Sequence, residues 1–215
     1  MYSDGPREQL RFETNVGYIE FNAMGSMVVL DCPFLNDRDI RDLSKLPRSL
    51  RYLTLGNELT GIDFHDLPRG LKELYLGGNR IHEVGEGNGL PLSLEHLDLE
   101  DVRLFNLSLA ALPRTLRHLI VSDNYIKELD LSALGDALRI LKLDRNRLRR
   151  IDLTVLRTDQ MEGIDLRGNP LDCDFVGEWT YGIGIRHGMT VRIDFRGNQI
   201  VFGTDYIGRR LLEFL

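Results

Sequence analysis

The chain has little of what most function classes require. Two cysteines, Cys32 and Cys173, are too few for a disulfide framework of the kind small secreted domains use. No apolar run approaches the roughly 18 residues needed to cross a bilayer. The opening MYSDGPREQLRF has no apolar signal core. A net charge of −6 gives no general attraction for nucleic acid. No serine or cysteine stands beside a histidine in a recognised nucleophile motif. These absences predict an intracellular, cytoplasmic, non-catalytic protein without a cofactor. A hydrophobic content of 42% in turn excludes wholesale disorder.

What is present is repetition. LPRSLRYLTLGNEL begins at Leu46, LPRGLKELYLGGNRI at Leu67, LPLSLEHLDLEDVRL at Leu90, LPRTLRHLIVSDNYI at Leu112 and LGDALRILKLDRNRL at Leu134. The start-to-start intervals are 21, 23, 22 and 22 residues. Weaker copies follow at Met161 (MEGIDLRGNPL) and Thr190 (TVRIDFRGNQI), and a degenerate one precedes at Met27 (MVVLDCPFL). Apolar steps of three and then two match neither an amphipathic helix nor a plain strand. They fit a coil that recurs about every 22 residues.

Each position in the coil has a physical task. The LxL core reads as a short strand with its leucines inward and the intervening residue outward. Asn79, Asn124, Asn146, Asn169 and Asn198 stand where the chain turns away, and a buried amide there can satisfy backbone groups of the turn and of the adjacent coil. The LP pair forces extended backbone before the proline. Two copies depart. Asn57 arrives one residue early, which predicts a shortened turn, and Val102 takes the asparagine place, with Asp101 the expected substitute.

This text resembles the leucine-rich repeat superfamily, and LPxxLxxLxLxxNxLxxIDL is similar to leucine-rich repeat proteins of kinetoplastid protists. LPRSLRYLTLGNELTGIDFHDLPRGL and LRRIDL carry that likeness. NPLDCDFVGEW is similar to the cysteine-rich cap NPWxCDCxLxW of extracellular repeat proteins, but Phe175 stands where that cap has a cysteine. The resemblance implies an α/β-type leucine-rich repeat solenoid. It would be a right-handed curved coil with a parallel β-sheet on its concave face, short strands or 3-10 turns on its convex side, and a cap at each end. It also implies a protein-recognition scaffold with no chemistry of its own.

The expected organisation is an N-terminal cap over 1–26, seven or eight coils over 27–200 with a cap-like insertion at 172–189, and a C-terminal cap or tail over 201–215. The insertion holds the single tryptophan, Trp179. Coils this far apart cannot bring Cys32 and Cys173 to disulfide distance, so both are expected as free thiols.

Outward positions of successive strands define the candidate binding face. Tyr52, Glu73, His96 and His118 fall in one column, and Tyr75, Asp98 and Ile120 in the next; Glu100 lies in a third with Gly56, Gly77, Ser122 and Asp144. Clustered aromatics suit a protein partner, and the two glycines are expected to leave it room. His96 and His118, about 4.8 Å apart on adjacent strands and near Glu73 and Asp98, also suggest a metal. The commoner reading is a recognition face, and no metal is expected. The run RNRLRRIDL places Arg145, Arg147, Arg149 and Arg150 along one edge, with no aromatic platform expected near it. The leading expectation is a scaffold binding another protein on its concave face, without membrane or small-molecule contact. The rival is a structural subunit of a large intracellular assembly, ribonucleoprotein or cytoskeletal, using the Arg145–Arg150 edge and the C-terminal tail, with RNA as a possible contact.

Overall fold

The computed structural model describes residues 10–14, 17–21, 27–32, 43–56, 59–84, 87, 89–155, 161–171 and 192–194. Twelve strands are present among them: β1 (Leu10–Thr14), β2 (Gly17–Phe21), β3 (Met27–Cys32), β4 (Tyr52–Leu55), β5 (Glu73–Tyr75), β6 (Glu83–Val84), β7 (His96–Asp98), β8 (Asn106–Leu107), β9 (His118–Ile120), β10 (Ile140–Lys142), β11 (Gly163–Asp165) and β12 (Arg192–Asp194). Ten form one sheet in the order β1-β2-β3-β4-β5-β7-β9-β10-β11-β12. From β3 onward every pairing is parallel, one strand per coil, while β1 and β2 run antiparallel at the first edge. On the opposite side, β6 and β8 make a two-stranded parallel pair. Among the described residues the remaining elements are 3-10 turns, such as Phe64–Asp66, Leu109–Ala111, Leu131–Ala133 and Leu153–Val155.

The core follows from the repeat spacing. Leu53, Leu74, Leu97, Leu119, Leu141 and Ile164 form one buried column, and Leu55, Leu76, Leu99, Val121, Leu143 and Leu166 form another. A third column, Leu50, Leu71, Leu94, Leu116, Leu138 and Met161, enters the same core just before each strand. The LPxxL text is a tight turn. The carbonyls of Pro47, Pro68, Pro91 and Pro113 accept from the amides of Leu50, Leu71, Leu94 and Leu116, each at 3.0 Å. The residues before Pro68 and Pro113 are extended, Leu67 at ψ 146° and Leu112 at ψ 144°, as the ring demands. In the ID and LD pairs, Asp63 and Asp130 accept from the amides of His65 and Ser132 and so start the 3-10 turns. The hydroxyls of Ser93 and Thr115 bridge back to carbonyls of the preceding coil.

The asparagines tie coil to coil. Asn124 donates through Nδ2 to the carbonyls of Leu99 and Val121, and its Oδ1 accepts from the amides of Val102 and Leu104. Asn79, Asn146 and Asn169 repeat the pattern toward their own preceding coils. All four are buried. The residue before each is left-handed: Gly78 at φ 75°, Asp123 at 55°, Arg145 at 53° and Gly168 at 68°. Asp101, before Val102, matches at 51°. The turn at Val102 corrects the expected role for Asp101. Its orphan groups are met by Asn124 of the next coil, and Asp101 is an exposed residue in a left-handed position. Cys32 is buried with a free thiol, which burial pushes above its usual range. Asn57, Asn198, Cys173, Trp179, the 172–189 insertion and the 201–215 tail lie outside the described residues.

Asn124→Ala is expected to lower the unfolding free energy by about 1–3 kcal/mol, since it strands buried backbone groups of two coils. Val102→Asn keeps volume and backbone and offers a rung toward the coil before, so it is expected to cost far less. Urea denaturation of both variants checks the contrast.

Candidate functional site

The outward columns are registered as their spacing requires. Tyr52 pairs with Glu73, Glu73 with His96 and His96 with His118, while Thr54 pairs with Tyr75, Tyr75 with Asp98 and Asp98 with Ile120. All are partly buried. Tyr52, Glu73, His96 and His118 each precede a buried inward leucine, and Thr54, Tyr75, Asp98 and Ile120 each stand between two buried apolar residues, so strand alternation puts these side chains on the outer sheet face. There they touch one another. The Tyr52 and Tyr75 rings lie 4.9 Å apart, Tyr75 stacks on His96 at 4.6 Å, and His96 meets His118 edge-on at 5.4 Å. Four aromatic rings thus run unbroken across four coils.

Polar contacts lock this row. Tyr75 donates its hydroxyl to Glu73 at 2.8 Å, and burial with that bond pushes the phenol well above its ordinary range. His96 Nδ1 and His118 Nδ1 are 3.3 Å apart, so one nitrogen donates and the other accepts. Burial, then the neighbouring His118, hold His96 below its usual value against the pull of Asp98 and Glu73. Among the described residues, His96 Nε2 is the buried side-chain nitrogen or oxygen without a hydrogen-bond partner. Asp98 accepts from the Glu100 amide at 2.9 Å. Burial first, and then the nearby Asp98 and Asp123, raise Glu100 against the pull of Arg145. Among the described residues no three histidine, cysteine or carboxylate groups converge as metal ligands.

Two details of the face differ from the sequence reading. Ser122 and Asp144 turn inward: both are buried, and the Ser122 hydroxyl donates to the Asp144 carboxylate. Gly77 also serves packing between coils, because a Cβ there would meet the Glu100 carbonyl of the next coil at 3.3 Å. In a later coil, Arg167 pairs with Asp165 of its own coil.

Comparison with known proteins bears on the fold. No protein-family model and no curated protein sequence matches the chain. Among solved structures, the chain is similar to the LRR domain of a Shigella effector, with a TM-score of 0.54 and 26% identity over 78% of this chain and 81% of that one. The fold is a leucine-rich repeat solenoid. A second similar structure, from the LRIM1/APL1C complex, has a TM-score of 0.57 at 23% identity over 77% of this chain; the match spans 33% of that longer chain.

The solenoid's basic edge differs in kind from its sheet face. Arg145 is engaged by Asp123, Asp144 and Glu100, and its hydrogen bonds to Asp123 hold the guanidinium charged. It is therefore not free for a phosphate. Arg147 lies over the Tyr125 ring at 4.4 Å, and Phe105 packs on the same ring. Aromatics do stand beside this edge, contrary to the sequence expectation. They come from the two preceding coils, which linear inspection of RNRLRRIDL does not reach. Arg149 and Arg150 are exposed. Among the described residues no helix is long and apolar enough to cross a membrane.

His96 gives the solenoid a pH-dependent stability. Its folded value is depressed, so the unfolded chain takes the proton first as pH falls below about 6.5. The stability it supports is whole above that pH and is lost on acidification through the folded value. The melting midpoint is expected to fall between pH 7.5 and pH 5 more steeply in the native protein than in His96→Gln.

Proposed function

We propose that the chain is a non-catalytic protein-interaction scaffold and that its partner docks on the concave, sheet side at the middle coils. The stacked row Tyr52–Tyr75–His96–His118 carries this reading. Aromatic side chains that are pre-ordered and half exposed lose little entropy on binding and form the usual anchors of interfaces. Glu73, Asp98, Glu100 and Ile120 complete the patch, and its three carboxylates suit a partner with a basic contact surface. Residues 1–26 and 201–215 fit this reading as caps that shield the open ends of the repeat stack, and the protein is taken as intracellular. Similarity to an effector LRR domain and to a chain of a protein complex supports an interaction role in general and names no partner. The assembly-subunit reading keeps Arg147, Arg149 and Arg150 but loses Arg145 to its acids.

Crosslinking and mass spectrometry in native lysate would identify the partner, and titration with the purified partner would test the patch. Tyr75→Ala is expected to weaken binding by about 2 kcal/mol, roughly 30-fold. Loss of ring stacking should lower stability by only about 0.5–1.5 kcal/mol. If Arg149→Ala abolishes binding while Tyr75→Ala does nothing, or if nuclease treatment removes the partner, the assembly-subunit reading replaces this one.

A further inference from the structure

We propose a second docking strip, on the turn side of the solenoid away from the sheet face, that takes an extended acidic peptide segment with an apolar residue in it. The strip is built from the residues that follow the asparagine column. Arg80, Arg103, Tyr125 and Arg147 occupy the position just after Asn79, Val102, Asn124 and Asn146, and His82 and Phe105 stand two residues further on. The His82 and Phe105 rings are 6.2 Å apart, Phe105 and Tyr125 are 5.1 Å apart, and the Arg147 guanidinium covers Tyr125. A continuous aromatic and cationic row therefore crosses four coils outside the core. Phe105 is 47% exposed, one of few large apolar side chains left so open among the described residues.

Charge identifies the occupant. Among the described residues, Arg80, Arg103 and Arg147 make no ion pair, whereas Arg145, one residue before the asparagine column, is surrounded by three acids. Unpaired guanidiniums at coil spacing present a line of donors to an anionic chain. Phe105 has a ring neighbour on either side, His82 and Tyr125, and Tyr125 lies between Phe105 and the Arg147 guanidinium. The same geometry disfavours single-stranded nucleic acid, which needs a free ring face for each base. The net charge of −6 repels a long polyanion, while a short segment feels chiefly the local cations.

Reach and boundary agree with a short segment. Four coils at about 4.8 Å per step span about 15 Å, which five or six extended residues cover at about 3.3 Å each. The backbone amides of Arg80, Phe105, Tyr125 and Arg147 are already bonded to the preceding coil, so the contact is through side chains and not by strand addition. Further round each coil lies an open groove of about 520 Å³ lined by Leu107, Leu129 and Ile151, by Glu128, Asp130 and Asp152, and by Arg150. Its three carboxylates repel an acidic segment and bound the strip on that side.

The test uses the intact chain and a fluorescein-labelled hexapeptide of sequence Glu-Glu-Leu-Glu-Glu-Leu, followed by fluorescence anisotropy. Saturable binding is expected, weakened by added salt and by at least fivefold in Arg103→Ala and in Phe105→Ala. Tyr75→Ala, on the sheet face, is expected to leave it unchanged. Arg103 is exposed, so an unchanged melting midpoint in Arg103→Ala separates lost contact from lost fold. The proposal is overturned by absence of saturable binding at millimolar peptide, or by binding that survives both variants. It is equally overturned if a ten-residue oligouridylate binds more tightly than the peptide and is lost in the same variants.

Discussion

A buried primary amide that joins two coils is the interaction on which the rest of this solenoid depends. Leucine columns alone would stack, but apolar contact is non-directional and sets no register. The asparagine side chain supplies direction. Asn124 and Asn146 each donate to the coil before and to their own turn, and each accepts an amide from the coil before. The backbone groups released where the strand ends would otherwise be buried unpaired, at a cost of about 1–3 kcal/mol each. A single side chain thus closes a turn and sets the axial spacing of two coils. At Val102 the isopropyl group can do neither, and Asn124 meets that turn's needs from the coil that follows.

Fixed register has consequences on both surfaces. On the sheet side it aligns Tyr52, Tyr75, His96 and His118 so that their rings stack, and stacking holds them half-buried and ordered without a core behind them. On the turn side it brings His82, Phe105, Tyr125 and Arg147 into a second row at the same coil pitch. The two rows differ in the charge around them. Glu73, Asp98 and Glu100 lie in the first, whereas Arg80, Arg103 and Arg147, which make no ion pair among the described residues, belong to the second.

The left-handed residue before each asparagine links these surfaces. Arg145 adopts that conformation at a cost, because its Cβ crowds the following carbonyl. Its side chain is then directed toward Asp123, Asp144 and Glu100. The charge cluster between the two faces therefore follows from turn geometry. It also removes one arginine from the edge that the sequence marks as most basic.

The sequence by itself determined the coil period, the three inward columns, the asparagine column and the outward columns of the sheet face. Each rests on a local rule: alternation along a strand, a turn that needs an amide, a proline that needs extended backbone before it. Repeated copies reinforce such rules, so Leu97, Asn124 and Tyr75 could be placed from their spacing alone. Only the tertiary structure decided which side chains of neighbouring coils meet and which way a turn residue faces. Ser122 and Asp144 share a column with Glu100 yet turn inward, because the strand has ended and alternation no longer applies to them. Gly77 packs close to the Glu100 backbone of the next coil, and Phe105, Tyr125 and Arg147 form one surface although about 20 residues separate each from the next. Those outcomes depend on left-handed turns and on contacts between coils, and neither is encoded in the order of residues within a single repeat.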